Sequence, residues 1–544
     1  MTVGACLGVS TALALIFVVG AAPAYGQADV TSANVAEGRG RILLVLPFDN
    51  RSGQPSLEWV REAAPEILGS RFSSAGFAPM SRADRLYALD HLGMPQGFHP
   101  SRATALKLAQ TLDADSIVVG SFTTDGSGIA VQAQVVDVPN LRMSQAVSAR
   151  GEMSDLIGVL DSLAWRLTRQ IDPTFNSSEE TFVVAGAGMR LDAFEQYIRG
   201  ITEPDQAERL RHLKQAVVLN PAYGQAWMAL GREDFNSQQY EEAAAAFAKV
   251  GGGDPDALEA GFYRGLSLLF SGDYPTAEKV FAGVARVLPL AQVANNEGVA
   301  ASRQGHDGTA LFRQAETADP NAADYHFNLA VSLKRHGDNA EALAELAQCL
   351  RLRPNDAEAQ ELNKAWTGPA KQQIGGADSS SGTAAKADPL ERIARSFDAV
   401  AFRQAAQMLD QMDAARQAAL TPQQRAHELA SQARDYLDRG LLLEAERLYQ
   451  AAVVADRSAA AAHVGLAEVC ERTGDAAGAR REAKTALEME PSADAYLVLG
   501  RVDLAASRLS EAGKEASAAL KLDPANRAAQ ELRKQIEARE GPKQ

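Results

Sequence analysis

Cysteine is nearly missing from this 544-residue chain, which has three: Cys6, Cys349 and Cys470. With so few, and the last two far apart in the chain, no disulfide framework is indicated. Cys349 and Cys470 each fall at an inward-facing helical position, where a buried structural thiol is expected. Aromatic residues are scarce at 6%, although 46% of residues are hydrophobic, and alanine fills the second half. That balance favours helices packed through small side chains over a sheet-rich core. Basic charge is also short, with 54 Lys and Arg against 69 Asp and Glu, a net charge of −15. Lacking any compensating basic stripe, such a surface repels phosphate backbones, and nucleic acid is excluded as a partner.

Signatures of chemistry are missing as well. The chain has no P-loop, HExxH, CxxC or GxSxG motif. The stretch VVAGAGM at 183–189 has glycines only at Gly186 and Gly188 and lacks the third glycine of a dinucleotide fingerprint, so it reads as a hinge. The eight histidines are scattered, and His326 and His336, ten residues apart, do not share a helical face at ligand distance. His463 reads as packing, and Glu241 and Glu242 as a solvated helix face. No catalytic, cofactor-binding or metal-ligating residue is assigned, and a non-enzymatic protein without cofactor is expected.

Long apolar runs are limited to Thr11 to Ala22, followed by Pro23 and the small-residue stretch Ala24-Tyr25-Gly26-Gln27-Ala28. A short apolar run with a small-x-small exit reads as a signal peptide over residues 1–28, and export to the periplasm or envelope is the expectation. The lack of Lys or Arg before the run leaves an uncleaved signal-anchor as the alternative. A cytosolic chain is the third reading.

What the chain does have is a period. Its length calls for three or four domains, and prolines recur at Pro221, Pro255, Pro289, Pro320 and Pro354, spaced 34, 34, 31 and 34. From Gly231 the series runs Ala243, Phe247, Pro255; from Gly265, Ala277, Phe281, Pro289; from Ala330, Ala342, Leu346, Pro354; all three step by 12, 4 and 8. Such self-similarity marks a solenoid of helical hairpins, in which small residues let two helices approach and proline ends the second. A second set follows: Tyr436, Gly440, Ala445, Tyr449 and Ala452 closing at Arg457; Leu466, Ala467, Gly474, Ala479 and Ala486 closing at Pro491; Gly500, Ala512, Ala516 and Ala519 closing at Pro524.

With Trp227-x-x-Leu230-Gly231 and Tyr496-x-x-Leu499-Gly500 at the openings, these units resemble the tetratricopeptide repeat family. The expected arrays span 186–366 and 389–540, the latter ending in a polar capping helix and its residues 389–420 forming a helical lead-in. Residues 367–388, rich in Gly, Ser and Ala, read as a flexible linker that lets the arrays reorient.

Residues 41–174 have another pattern, in which a strand at 41–48, a helix at 57–72, a strand at 77–80 and a helix at 103–112 precede strands at 116–122, 129–138 and 142–151 and a helix at 154–171. This small α/β domain, through VLPFDNRSG and DSIVVGSF, resembles the TolB-type amino-terminal domain of cell-envelope proteins. That resemblance implies docking to envelope partners, membrane proteins among them, without a catalytic centre. The fold class is mainly α, two solenoid arrays preceded by a small α/β domain and a signal peptide.

Tetratricopeptide arrays hold protein segments against their first helices. The resemblance therefore implies a groove lined by Met228, Arg232, Phe235, Phe262, Leu266, Leu269, Phe270, Phe327, Val331 and Lys334. Its apolar character suits an extended or helical segment with apolar anchors. The rival reading turns several of these aromatics toward the neighbouring hairpin, and a helical apolar stripe does not distinguish the two. Asn296 and Asn328 are given no role, because the Lys/Asn set that clamps a C-terminal carboxylate in some relatives is missing. The expected function is an exported scaffold or adaptor for other proteins or peptide segments. The alternative is a regulatory or sensory subunit whose α/β domain binds a ligand.

Overall fold

A computed structural model describes residues 42–95, 101–184, 188–254, 256–368, 389–397, 412 and 415–540. The expected signal peptide, Pro255, Gly186 and residues 369–388 of the expected linker lie outside the described residues.

The α/β domain is built on strands β1 (Ile42–Val45), β2 (Asp49–Asn50), β3 (Ala78–Pro79), β4 (Ser116–Asp125), β5 (Gly128–Asp137), β6 (Arg142–Met143) and β7 (Val147–Glu152). Strand β1 lies between β3 and β4, parallel to both; β4 pairs antiparallel with β5, which carries β6 and β7 on its far side. Side chains alternate across a strand, and central β1 is buried on both faces. Leu43, Val45, Val118 and Val131 pack with helices α1 (Val60–Ser74) and α4 (Leu156–Ile171). Leu44, Leu46, Ile117 and Val136 pack with α2 (Arg82–His91) and α3 (Arg102–Thr111). Helix α2 is not foreseen above: its apolar residues are few, and a Ser81–Asp84 capping box starts it.

The first core does not stop at the domain. It continues through Phe175 and through Phe182 of α5 (Glu179–Val184) into the first hairpin, α6 (Leu191–Thr202) and α7 (Gln206–Leu219). Trp59 meets Phe194 edge-on at 6.4 Å, Tyr197 meets Tyr223 at 5.1 Å, and the Tyr197 hydroxyl donates to Glu66. The domain and the opening of the first array therefore share one apolar interior.

The first array runs through α8 (Gly224–Asn236), α9 (Tyr240–Phe247), α10 (Ala257–Ser271), α11 (Tyr274–Val287), α12 (Ala291–Arg303), α13 (Thr309–Ala318), α14 (Ala323–His336), α15 (Asn339–Leu352) and α16 (Ala357–Thr367). The second comprises α17 (Pro422–Asp438), α18 (Leu442–Ala455), α19 (Ala460–Thr473), α20 (Ala476–Met489), α21 (Ala493–Ala505), α22 (Leu509–Leu522) and α23 (Arg527–Glu540). Closing prolines 221, 289, 320, 354, 491 and 524 each directly follow a C-cap residue, where proline cannot continue the ladder. Within a hairpin, the first helix gives up a side chain where the second presents a ring. A Cβ on Gly231 would lie 2.7 Å from Phe247, and one on Gly265 2.6 Å from Phe281. The short unit keeps the device with Gly298 beneath Phe312. Gly272 and Gly337 make the turns between helices with φ of 88° and 93°, a conformation that costs other residues energy. Cys349 is fully buried and Cys470 half-buried, and burial pushes the Cys349 thiol up to about 11.

Two expectations change. Residues 389–397 are extended, not a helical lead-in. The second array is also not free of the rest: Leu443 of α18 is fully buried in the α/β core, Arg447 donates to the Ser74 carbonyl at 2.7 Å, and α5 packs on α18 and α19. Glu446 is buried beside Ser177 and Thr181, and burial pushes its carboxyl up to about 7.

Two measurements follow from this packing. Gly265→Val forces atoms into a filled ring contact, and overpacking of this kind costs about 1–3 kcal/mol, read as a lowered denaturation midpoint. Glu446 takes up its proton at higher pH folded than unfolded. Its contribution is therefore full at low pH and lost as pH rises toward about 7. Thermal melts of Glu446→Gln against the unsubstituted chain should show the variant gaining relative stability over that rise, and equal slopes would refute the assignment.

Candidate functional site

The first helices of successive hairpins, α10, α12, α14 and α16, turn one face toward residues 389–397, Pro-Leu-Glu-Arg-Ile-Ala-Arg-Ser-Phe. An extended chain exposes a main-chain donor and acceptor at every second residue on one side, and buried peptide groups need partners. Three asparagines, each fully buried, supply them. Asn328 on α14 accepts from the Arg392 amide at 2.6 Å and donates to the Arg392 carbonyl at 2.8 Å. Asn296 on α12 does the same for Ala394, with both bonds at 2.9 Å. Asn295 joins the two, donating to the Arg392 carbonyl and to Asn296 while accepting from Asn328. This clamp holds alternate residues by their main chain and is blind to their side chains.

Side-chain selection comes from either end of the clamp. Glu391, 4% exposed, takes hydrogen bonds from Ser302 and Arg335 and lies 3.7 Å from Arg303. The Arg303 and Arg335 side chains also donate to the carbonyls of Glu391 and Pro389. Arg392 points the other way, into Asp324 at 2.9 Å, Asp356 at 2.6 and 2.8 Å and Glu358 at 3.0 Å, with its guanidinium 3.6 Å above the Phe327 ring. Burial would lower the guanidinium pKa, but hydrogen bonds to Asp356, Asp324 and Glu358 outweigh it and hold the charge more firmly. The hydrogen bond from Arg392 in turn lowers the Asp356 carboxyl. Charge-assisted bonds of this type contribute about 1.5–3 kcal/mol each. Farther along, Phe397 meets Phe262 at 5.5 Å, and Arg395 lies 5.6 Å from the Phe270 centroid.

Of the groove residues expected from sequence, Phe262, Phe270 and Phe327 touch this segment. Met228, Leu266, Leu269 and Val331 are buried in the hairpin cores. Phe235 stacks among Tyr240, Tyr263 and Phe270, Arg232 pairs with Glu259 at 2.5 Å, and Lys334 bonds Asn339 and faces Trp366. The sequence reading missed the asparagines, the acids around Arg392 and the pair Arg303 and Arg335. A signal was available: Asn295 and Asn328 are 33 residues apart, close to the repeat period. In the second array the corresponding charges pair with each other, Arg434 with Glu468 and Arg501 with Glu471.

Histidines serve the framework. His326 bonds Glu345 at 2.7 Å and His463 bonds Glu482 at 2.9 Å, the same spacing of 19 residues in both arrays. No group of three or more metal-ligating side chains occurs among the described residues. No described helix is long and apolar enough to cross a membrane.

The tetratricopeptide repeat family profile matches residues 228–291, 297–357, 431–483 and 472–527. No curated protein matches the chain. Among solved structures, MamA 41-end from Desulfovibrio magneticus RS-1 is 23% identical over 31% of this chain and 100% of its own, with a TM-score of 0.29. YrrB, described as a TPR protein with an unusual peptide-binding site, is 17% identical over 32% of this chain and 90% of its own, with a TM-score of 0.29. The LpoB C-terminal domain from Escherichia coli is 20% identical over 22% of this chain and 86% of its own, with a TM-score of 0.19. The repeat profile and the element order make the chain a mainly helical repeat protein with a small α/β domain before its arrays. Its repeat fold is consistent with a non-catalytic protein.

Arg392→Ala removes the charge-assisted bonds that seat the segment. At about 1.4 kcal/mol per tenfold, the loss of even one or two of them speeds hydrogen exchange at the Arg392 and Ala394 amides by about ten- to a thousandfold. Unchanged exchange there would show that the segment is held by other contacts.

Proposed function

We propose that this repeat chain is an exported, non-catalytic scaffold or adaptor of the bacterial cell envelope, and that the first array captures extended segments of other proteins. The observation that carries the binding role is the seated segment 389–397, whose main chain is clamped by Asn296 and Asn328. A surface that satisfies the peptide groups of an extended chain and offers charged sockets beside it is a peptide-recognition surface in physical terms. Export rests on the apolar run Thr11 to Ala22 and its small-residue exit. The α/β domain, joined to both arrays through one core, would fix the grooves relative to whatever that domain docks on.

The test is a crosslinking pull-down of the full chain from its native envelope fraction, compared with Asn296→Ala/Asn328→Ala. Partners present with the unsubstituted chain and lost with the variant support the groove as the working surface. Partners retained by the variant would move binding to the α/β domain or the second array. Recovery of the protein only from cytosol would overturn the export reading.

A further inference from the structure

The segment in the groove belongs to the chain itself, and its side chains define what the groove selects. Three sockets have fixed spacing: the Ser302, Arg303 and Arg335 set around Glu391, the Asp324, Asp356, Glu358 and Phe327 set around Arg392, and the Phe262 face under Phe397. The first two have opposite charge and adjacent positions, so a reversed Arg-Glu order would place like charges together at both. Between them and the aromatic site the asparagines hold the main chain of Ala394, while Ile393 packs on the apolar cluster around Phe262 and Arg395 lies 5.6 Å from the Phe270 centroid.

The fit of the resident segment is incomplete. Beside Ala394 and Ser396 lies a cavity of about 430 Å³, lined also by Pro289, Leu290, Gln292 and Tyr325. Gln292 is 6% exposed and its Nε2 has no hydrogen-bond partner among the described residues. A buried amide without a partner is a site where an added acceptor gains affinity. Ala394 is too short to supply one.

We propose that the groove of the first array recognises extended segments of the form Glu-Arg-x-x-x-x-Phe, that residues 389–397 are a tethered occupant of that form, and that a partner protein bearing the motif must displace them. The inference rests on the peptide-capture reading above and goes beyond it by naming the ligand and its competitor. A segment on the same chain competes at an effective concentration of about a millimolar. Against a free peptide of micromolar intrinsic affinity it therefore suppresses binding by about a hundred- to a thousandfold. A partner that also places an acceptor side chain at the Ala394 position would use the cavity and overcome part of that suppression.

The experiment is fluorescence anisotropy with a labelled peptide of residues 389–397 and the full chain. Binding is expected to be weak to the unsubstituted chain and at least about fiftyfold tighter to Glu391→Ala/Arg392→Ala, whose own segment no longer fills the sockets. Replacing the peptide's Arg392 equivalent by Ala should cost at least about tenfold, since charge-assisted bonds are lost. Adding Asn296→Ala/Asn328→Ala to the emptied chain should abolish binding. Equal binding to the unsubstituted and emptied chains, or none to an emptied chain that keeps its circular dichroism and melting transition, overturns the proposal. Should the double substitution unfold the chain, Arg392→Gln alone serves, with the same ordering expected. A chain that binds the peptide yet captures no protein sinks the scaffold reading alone. A chain that captures proteins through the groove but ignores the peptide sinks the motif alone.

Discussion

Three hairpins of the first array depend on a ring laid over a position with no side chain. Gly231 under Phe247, Gly265 under Phe281 and Gly298 under Phe312 bring the two helices of a unit closer than any Cβ would allow. In the fourth comparable unit Ala330 and Leu346 occupy these positions, both fully buried. Because the contact repeats, the first helices of successive units present the same face in the same direction, which is what a solenoid surface requires. The second array uses the device between units as well, with Tyr449 of α18 against Gly465 of α19. Remove the close approach and the faces carrying Asn295, Asn328 and Phe262 would no longer line up along one segment.

The seated segment illustrates how a buried charge is tolerated. An isolated buried ion is expensive, and its pairing succeeds only when hydrogen bonds satisfy the remaining atoms. Glu391 meets two arginines and a serine, and Arg392 meets three carboxylates and a ring. Neither residue alone would leave the groove balanced, because each socket carries an excess of opposite charge. The pair is therefore selected as a pair. The labour is divided: Met228, Leu266, Leu269 and Val331 build the hairpins, and asparagines, arginines and carboxylates bond the segment.

The legible part of this structure was the part governed by local period. Steps of 12, 4 and 8 located the hairpins and their proline stops, and alternation in Ile129 to Val135 located a strand with one buried side. Helix α2 was missed because its content is largely polar, with Arg85, Ala88 and Leu89 buried. The polar contacts to residues 389–397 were not legible for a different reason. Asn295, Asn296 and Asn328 acquire meaning only from residues 64 to 98 positions away, and no periodicity encodes that partner. The same holds for Arg447 and Ser74, 373 positions apart, whose contact ties the second array to the α/β domain. Composition set residues 367–388 apart as a linker, but it could not show that the next nine residues lie against the first array.

That last point changes how the two arrays relate. A segment entering the second array in sequence is bound by the first in space, while the second array grips the α/β domain through Leu443, Arg447 and Glu446. The α/β domain in turn shares its core with the first hairpin through Trp59, Phe194 and Tyr197. The contacts form a closed circuit: first array to segment, segment by covalent continuity to second array, second array to α/β domain, and α/β domain back to the first array. In a closed circuit each contact is reinforced by the others, since opening one leaves the ends tethered and their effective concentration high. If the groove is emptied, the circuit opens at the contact between residues 389–397 and the first array, while the second array keeps its hold on the α/β domain through Leu443 and Arg447.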